Sequence, residues 1–365
     1  MRLKLSSLNL KNTDNMHIQR RKAKEVKIGK VKIGGNHPIA IQSMTNTDAH
    51  DFDATVRQVL ELVAAGADIV RLAITDEEAL KVIPMIKQKM DVPMVADIQY
   101  NYRLAIKAIE SGIDKVRINP GNIGDERALR AVTRVANEHG VPVRIGVNSG
   151  SLPHEIVERY GVTAEAMVKA AEQAVRVMQD EGFTNIVVSL KSTDPFMTIE
   201  ANRRFAKMNN YPIHLGVTEA GVDATGIIKS TFVLTTLLSE GIGDTIRVSL
   251  SGPPVNEIPI ARKILATLGL YQMPDVIACP TCARAEIDVE QLAREVEARV
   301  ANMGKSLKIA VMGCPVNGIE EAKHADIGIA GGKSYAVIFK KGQIIRKVPP
   351  NNAIDVLMEE LEKLL

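Results

Sequence analysis

The sequence predicts an α/β chain: an N-terminal (β/α)8 barrel of the TIM type, followed by a small α+β domain. Two observations carry the barrel. Short runs rich in Val and Ile alternate eight times with stretches of helical periodicity, the pattern of parallel strands joined by crossover helices. No Gly-x-Gly-x-x-Gly follows any early strand, which argues against the open doubly wound sheet that shares this alternation. A third observation sets the boundary. After Leu270 the alternation stops, and Pro274-Asp275 begins a different layout, giving domains at 25–270 and 271–365.

Residues 1–24 are basic and polar, without the apolar segment of a signal peptide, and read as a flexible leader. Residues 25–33 alternate apolar and Lys positions around Gly29-Lys30, as a short hairpin does. Barrel strands are expected at 39–44, 68–73, 93–98, 114–119, 142–148, 185–191, 213–218 and 244–250. Helices are expected at 53–65, 77–90, 101–111, 125–139, 163–180, 196–209, 225–239 and 255–268. The first of these puts Val56, Val59, Leu60 and Val63 on one face and ends at Gly66. In the second domain the order is a strand, Cys279-Pro280-Thr281-Cys282, a helix over 288–302, a strand over 308–312, Cys314, short strands and a helix over 353–364. The run Gly328 to Ser334 looks like a phosphate loop, but its first glycine falls one residue short and no helix pattern follows. It reads as a tight turn before a strand over 335–339, with 340–343 as a hairpin turn.

Composition narrows the function. At 365 residues, with 45% hydrophobic and 24% charged residues, the chain has the profile of a soluble globular enzyme. A net charge of +3, aromatics at 3% and no Trp leave little for binding nucleic acid. No apolar run approaches the ~20 residues that span a bilayer. A cytoplasmic, reducing setting follows, in which thiols stay available to a metal.

All three cysteines fall in two stretches, Cys279 to Cys282 and Cys314-Pro315-Val316-Asn317-Gly318-Ile319-Glu320-Glu321, each preceded by an apolar run. Thiolates converging from a Cys-x-x-Cys turn and a second loop suit a soft metal or iron–sulfur centre with one position left to a weaker ligand. The alternatives each lack something. A redox dithiol wants a thioredoxin-like strand and helix. Structural zinc wants a full Cys and His set, and only His324 is near. An odd count and no secretory signal weigh against disulfides.

The barrel strands carry charge at their C-terminal ends, where such barrels keep their chemistry. Arg71, Arg117, Arg144 and Arg247 each sit between apolar residues, and Lys191 ends a strand. Burying an unpaired guanidinium costs several kcal/mol, and these cations outnumber Asp97 and Glu219, the evident acidic partners. Arg forks match phosphate oxygens, so a diphosphate or similar polyanion is expected in the mouth. Glu219 reads as the proton-handling group and Asp97 as that or an Arg partner; His214 is the histidine expected near the mouth.

Several long stretches, in order, are similar to one family. They are Gln42-Ser43-Met44-Thr45-Asn46-Thr47, Val116 to Gly124, Arg144-Ile145-Gly146-Val147-Asn148, His214 to Gly221, Ser239 to Thr245 and both cysteine stretches. Across nearly the whole chain it resembles the short bacterial form of 4-hydroxy-3-methylbut-2-en-1-yl diphosphate synthase, of the methylerythritol phosphate route to isoprenoids. The resemblance implies a ferredoxin-like C-terminal domain holding a four-iron four-sulfur cluster on Cys279, Cys282, Cys314 and Glu321, with Glu320 as the alternative to Glu321. It implies reductive opening and dehydration of 2-C-methyl-D-erythritol 2,4-cyclodiphosphate with electrons from flavodoxin or ferredoxin. It implies anchors at Arg71, Arg117, Arg144, Lys191, Arg247 and Ser249, and a polar set of Asp97, Asn148 and Glu219 around the reacting carbons. It also implies a head-to-tail homodimer. Two places depart from the family pattern: Gln99 stands where a His is usual, and Ile319-Glu320 where Pro-Gly is usual.

Overall fold

The structure, a computed structural model, describes residues 18–365 apart from Val316. The chain divides into two compact units between Leu270 and Tyr271.

The first unit opens with an antiparallel hairpin, β1 (Val26–Ile28) and β2 (Val31–Ile33), turned at Gly29 with φ +54°. Eight parallel strands follow: β3 (Ala40–Met44), β4 (Ile69–Ala73), β5 (Met94–Ile98), β6 (Lys115–Ile118), β7 (Val143–Asn148), β8 (Ile186–Lys191), β9 (His214–Leu215) and β10 (Thr245–Ile246). Their order is β8-β7-β6-β5-β4-β3-β10-β9, and a parallel bridge between Val188 and Ile213 joins the two ends into a barrel. β9 and β10 pair over two residues each, less than expected. Residues 216–219 and 247–251 leave the ladder and run on as mouth loops.

Helices α1 (Phe52–Ala65), α2 (Val82–Lys89), α3 (Tyr102–Glu110), α4 (Glu126–His139), α5 (His154–Tyr160), α6 (Ala164–Asp180), α7 (Pro195–Met208), α8 (Asp223–Ser239) and α9 (Glu257–Thr267) connect the strands. Their ends follow local chemistry. Asp51, Asp125 and Thr163 each accept a hydrogen bond from a first-turn amide, and Gly66 and Gly140 close α1 and α4 in the left-handed conformation. α1 buries Thr55, Val56, Val59 and Leu62, one stripe at helical spacing.

β7 shows why a sequence of this kind makes a barrel with a polar lumen. Val143, Ile145 and Val147 are fully buried, while the alternate positions Arg144 and Asn148 line the interior cavity. The hairpin occupies the opposite end. Val26, Ile28 and Ile33 pack on Ala40, Ile69, Val95 and Val187, which lie on four different barrel strands. Each such buried aliphatic is worth roughly 1.5–3 kcal/mol.

Of the expected leader, residues 1–17 lie outside the described residues, and the part from 18 to 24 is not free. Arg20 and Arg21 converge on buried Asp244 at 3.0 and 3.5 Å, and the Lys24 amide donates to Asn210 at 2.7 Å. A buried carboxylate beside the β9–β10 ends needs these cations, which ties the segment down.

The second unit is a five-stranded mixed sheet in chain order: β11 (Asp275–Ala278), β12 (Lys308–Met312), β13 (Ile327–Gly331), β14 (Ala336–Lys340) and β15 (Gln343–Val348). The first three are parallel and the last two antiparallel. Helices α10 (Val289–Val300), α11 (Gly318–Glu321) and α12 (Ala353–Glu362) complete it. Val296, Val300, Leu357 and Leu361 pack with Ile309, Val311, Ile329 and Ile338 in one core. Gly328 to Gly331 is therefore strand, not turn. A Cβ at Gly328 would meet the Phe339 ring at 2.3 Å and one at Gly331 would meet Ile287 at 2.1 Å, so glycine here makes room for neighbours.

Candidate active site

The C-terminal ends of the barrel strands surround a cavity of about 230 Å³. It is lined by Arg71, Arg117, Arg144, Lys191 and Arg247, by Asp97 and Glu219, and by Gln99, Asn148 and Ser249 among the neutral groups. Every residue expected to anchor a polyanion is brought there except His214. That side chain is fully buried beneath Lys191: Lys191 Nζ is 3.2 Å from His214 Nε2, and His214 Nδ1 is 2.7 Å from Thr245 Oγ1. With Nδ1–H donating to the threonine, Nε2 is free to accept from the lysine. Burial, with Arg144 and Lys191 beside it, lowers the affinity of this imidazole for a second proton. It supports Lys191 from behind.

Two glycines give the cations their positions. A Cβ at Gly146 would come within 2.4 Å of Arg117 Nε, and one at Gly216 within 2.8 Å of Lys191 Nζ. Both side chains lie flat across a neighbouring strand where any larger residue would displace them.

Asp97 is the electrostatic centre. Arg117 Nη1 donates to its Oδ1 at 2.9 Å, Arg71 Nε stands 3.9 Å from Oδ2, and Gln99 Nε2 donates to Oδ2 at 3.4 Å. Burial raises its pKa, but the fields of Arg71, Arg117 and Arg144 outweigh that and hold the carboxyl below the usual carboxylate range. Burial also draws Arg71 down to about 10, with Asp97 opposing, which leaves it a cation at neutral pH. Replacing Asp97 by Ala is expected to cost on the order of 3 kcal/mol, because Arg71 and Arg117 lose their buried counter-ion. Its folded pKa is depressed, so the wild-type advantage is present above the unfolded value of about 4 and disappears as pH falls through the folded one. Urea melts of both proteins across acid pH check this.

Glu257 was not anticipated. At the start of α9 it takes Arg247 in a two-pronged pair, both contacts at 3.1 Å, and accepts from Ser43 Oγ at 3.2 Å and the Leu250 amide at 3.1 Å. It fixes Arg247 from behind. Even counting it, five basic side chains face three carboxylates, a surplus of two, and burial together with the neighbouring guanidiniums holds Lys191 and Arg144 well below their ordinary ranges. Glu219 is exposed at the rim with φ +53°, a left-handed conformation that a non-glycine residue adopts at a cost.

In the second unit the cysteines sit at the ends of neighbouring strands. Cys279 follows β11 and its amide donates to Val311 at 3.1 Å; its Sγ accepts from the Gly313 amide at 3.2 Å. Cys314 follows that glycine, two residues past β12. The turn between Cys279 and Cys282 holds Thr281 at φ +29°, and the following loop is tied back by Glu286 N to Gly313 O at 2.9 Å. The thiols are free, with Cys279 and Cys314 half-buried and Cys282 exposed. The Arg284 amide holds the Cys282 thiol below its usual range. Glu320 is paired with Lys323 at 2.5 Å, whereas Glu321 makes no ion pair among the described residues. Three soft donors on adjacent strand ends, one already receiving a backbone N–H, fit an iron–sulfur centre by their chemistry. Among the described residues the side chains do not close into a group of three or more metal donors.

Comparison with known proteins places this geometry. Residues 23–262 match the family model described as the GcpE TIM-barrel domain, and residues 275–363 that of the GcpE protein C-terminal domain. The chain is 52% identical over 348 residues to a protein of Caldanaerobacter subterraneus subsp. tengcongensis named 4-hydroxy-3-methylbut-2-en-1-yl diphosphate synthase (flavodoxin), covering 95% of this chain and 98% of that one. Proteins of the same name from Geobacillus thermodenitrificans and Clostridium tetani are 49% and 48% identical, each over 95% of this chain and over 93% and 100% of their own.

Proposed function

The chain belongs to the GcpE family of 4-hydroxy-3-methylbut-2-en-1-yl diphosphate synthases, and from that premise we propose how its residues share the work. It is an oxidoreductase of isoprenoid biosynthesis, converting 2-C-methyl-D-erythritol 2,4-cyclodiphosphate to 4-hydroxy-3-methylbut-2-en-1-yl diphosphate. The observation that carries the assignment of roles is the cationic surplus of the barrel mouth, which matches a ring bearing two phosphoryl groups.

Arg71, Arg117, Arg144, Lys191 and Arg247 grip the phosphoryl oxygens, with Ser249 completing the set. Asp97 and Glu257 hold three of these guanidiniums in fixed orientations, so little reorganisation accompanies binding. Glu219, at the rim, delivers the proton with which the departing hydroxyl leaves as water, and Asn148 orients the ring between the cations and that carboxyl. The thiolates of Cys279, Cys282 and Cys314 and the carboxylate of Glu321 hold a four-iron four-sulfur cluster. When bound, that cluster supplies electrons one at a time and an iron whose weak carboxylate ligand leaves it Lewis acidic. Glu321 is the better fourth ligand because Glu320 is already engaged by Lys323. Flavodoxin is the electron donor, the working form is a homodimer, and the reaction belongs to the cytoplasm. No helix among the described residues is long and apolar enough to cross a membrane.

Oxygen-free protein is expected to contain iron and sulfide and to absorb broadly near ~400 nm. A colourless preparation holding only zinc would turn the reading toward a barrel lyase or transferase with a structural metal. Glu321→Gln should lose most of the cluster on dilution while Glu320→Gln keeps it; the reverse order, read by iron content, would exchange the two assignments.

A further inference from the structure

The barrel interior contains a lysine that the reaction as described does not use. Lys115 is the first residue of β6, and its side chain has no exposure. It stands two residues before Arg117 on the same strand, so it faces the lumen one row, roughly 7 Å, below the mouth. The register fixes both rows. Arg71, Val95 and Lys115 are successive neighbours in the lower one, from which Arg71 still lines the mouth cavity, and Asp97, Arg117 and Arg144 in the upper. Among the described residues, Lys115 Nζ has no hydrogen-bond partner, and neither do Nε and Nη1 of Arg144. The charged groups whose fields reach Lys115 are Arg71 on β4 and Arg144 on β7, and Lys115 in turn acts on the buried His214 of β9. Asp97, the carboxylate of the row above, is already committed to Arg117 and Arg71.

A fully buried lysine beside guanidiniums, with no acceptor among the described residues, is an unstable place for a positive charge. Burial holds its amine well below the ordinary lysine range, and Arg144 and Arg71 add to that. A polyanion entering the row above changes the balance, since it brings negative charge within one row of the amine.

We propose that Lys115 is a positioning residue for the diphosphate: binding of the polyanion is coupled to transfer of one proton from solvent to the Lys115 amine, which then attracts the ligand from beneath the arginine layer. The inference rests on the reading of the mouth as a diphosphate site and adds a residue that never touches the ligand. It gives the site a cation whose charge is strongest when the ligand is present, and spares the empty barrel a further buried charge.

Titration calorimetry of the full chain, prepared without oxygen, with inorganic pyrophosphate as the probe, tests it. Repeating the titration in buffers of different ionisation heat gives the number of protons taken up. Wild type is expected to take up a substantial fraction of a proton more per ligand than Lys115→Met, over the pH range in which the amine is neutral in the empty barrel and charged beside the ligand. Lys115→Met should bind up to roughly 50-fold more weakly, from two unit charges about 7 Å apart at an effective dielectric of about 20. Over the same range wild-type affinity should fall as pH rises, and the variant should lose that part of the slope. Lys115→Arg, permanently charged, should bind tightly without that proton; if it does not fold, Lys115→Gln gives the same proton reading. Equal proton uptake by wild type and Lys115→Met, with affinities within about twofold, would overturn the proposal. Pyrophosphate binding needs no turnover, so that failure is distinct from a failure to convert the cyclic diphosphate.

Discussion

Cys314→Ser is expected to abolish turnover and to leave the protein with almost no iron, while its far-ultraviolet circular dichroism stays close to wild type. A serine hydroxyl is a harder donor than a thiolate and stays protonated at neutral pH, so it does not replace the sulfur as an iron ligand. The surrounding main chain does not depend on the thiol. Gly313 donates its N–H to Cys279 Sγ and accepts from the Glu286 amide, and both contacts survive the change. The barrel has its own core, beginning at the hairpin packed on Ala40, Ile69, Val95 and Val187. Loss of iron with a folded chain is therefore the expected pairing. Wild-type turnover in the serine variant, measured per mole of protein without oxygen, would remove Cys314 from the ligand set.

Glu219→Gln is expected to lower kcat by on the order of 100-fold or more, with little change in KM for the cyclic diphosphate. Glutamine keeps the shape and the rim position of the side chain and removes its capacity to exchange a proton. The anchoring cations lie on other strands and keep their partners: Asp97 for Arg117, Glu257 for Arg247 and His214 for Lys191. The substitution also removes a negative charge facing an anionic ligand, so weaker binding is not expected. A kcat near wild type in the glutamine variant, with KM unchanged, would leave Glu219 without its proposed role.

The difference between what could and could not be read from the chain is instructive at individual residues. Arg117 in Val-Arg-Ile and Arg144 in Val-Arg-Ile were legible because a charge between apolar neighbours on a two-faced strand must point inward when helices cover the outside. Glu257 was not. It reaches Arg247 from the first residue of a helix ten positions later, and nothing in a local pattern says which way that carboxyl turns. His214 was legible as a lumen residue, but its depth was not, because depth depends on the stagger between strands and on Lys191 lying across Gly216. The basic composition of the N-terminus suggested freedom, whereas Arg20 and Arg21 meet Asp244 more than 200 positions away. β13 was hidden by its glycines, which serve the Phe339 ring and Ile287 rather than a turn. The cysteine motif was plain; nothing local in the two adjacent glutamates shows that Glu320 meets Lys323 while Glu321 makes no ion pair among the described residues.

The most direct measurement is oxygen-free turnover of 2-C-methyl-D-erythritol 2,4-cyclodiphosphate by the iron-loaded full chain with reduced flavodoxin, followed by phosphorus NMR. The two resonances of the strained ring should give way to those of a linear diphosphate, at a rate that vanishes in Cys314→Ser and falls steeply in Glu219→Gln. A ring that stays intact beside fully reduced, iron-replete protein would contradict the assignment of this barrel mouth and these three thiols to that reaction.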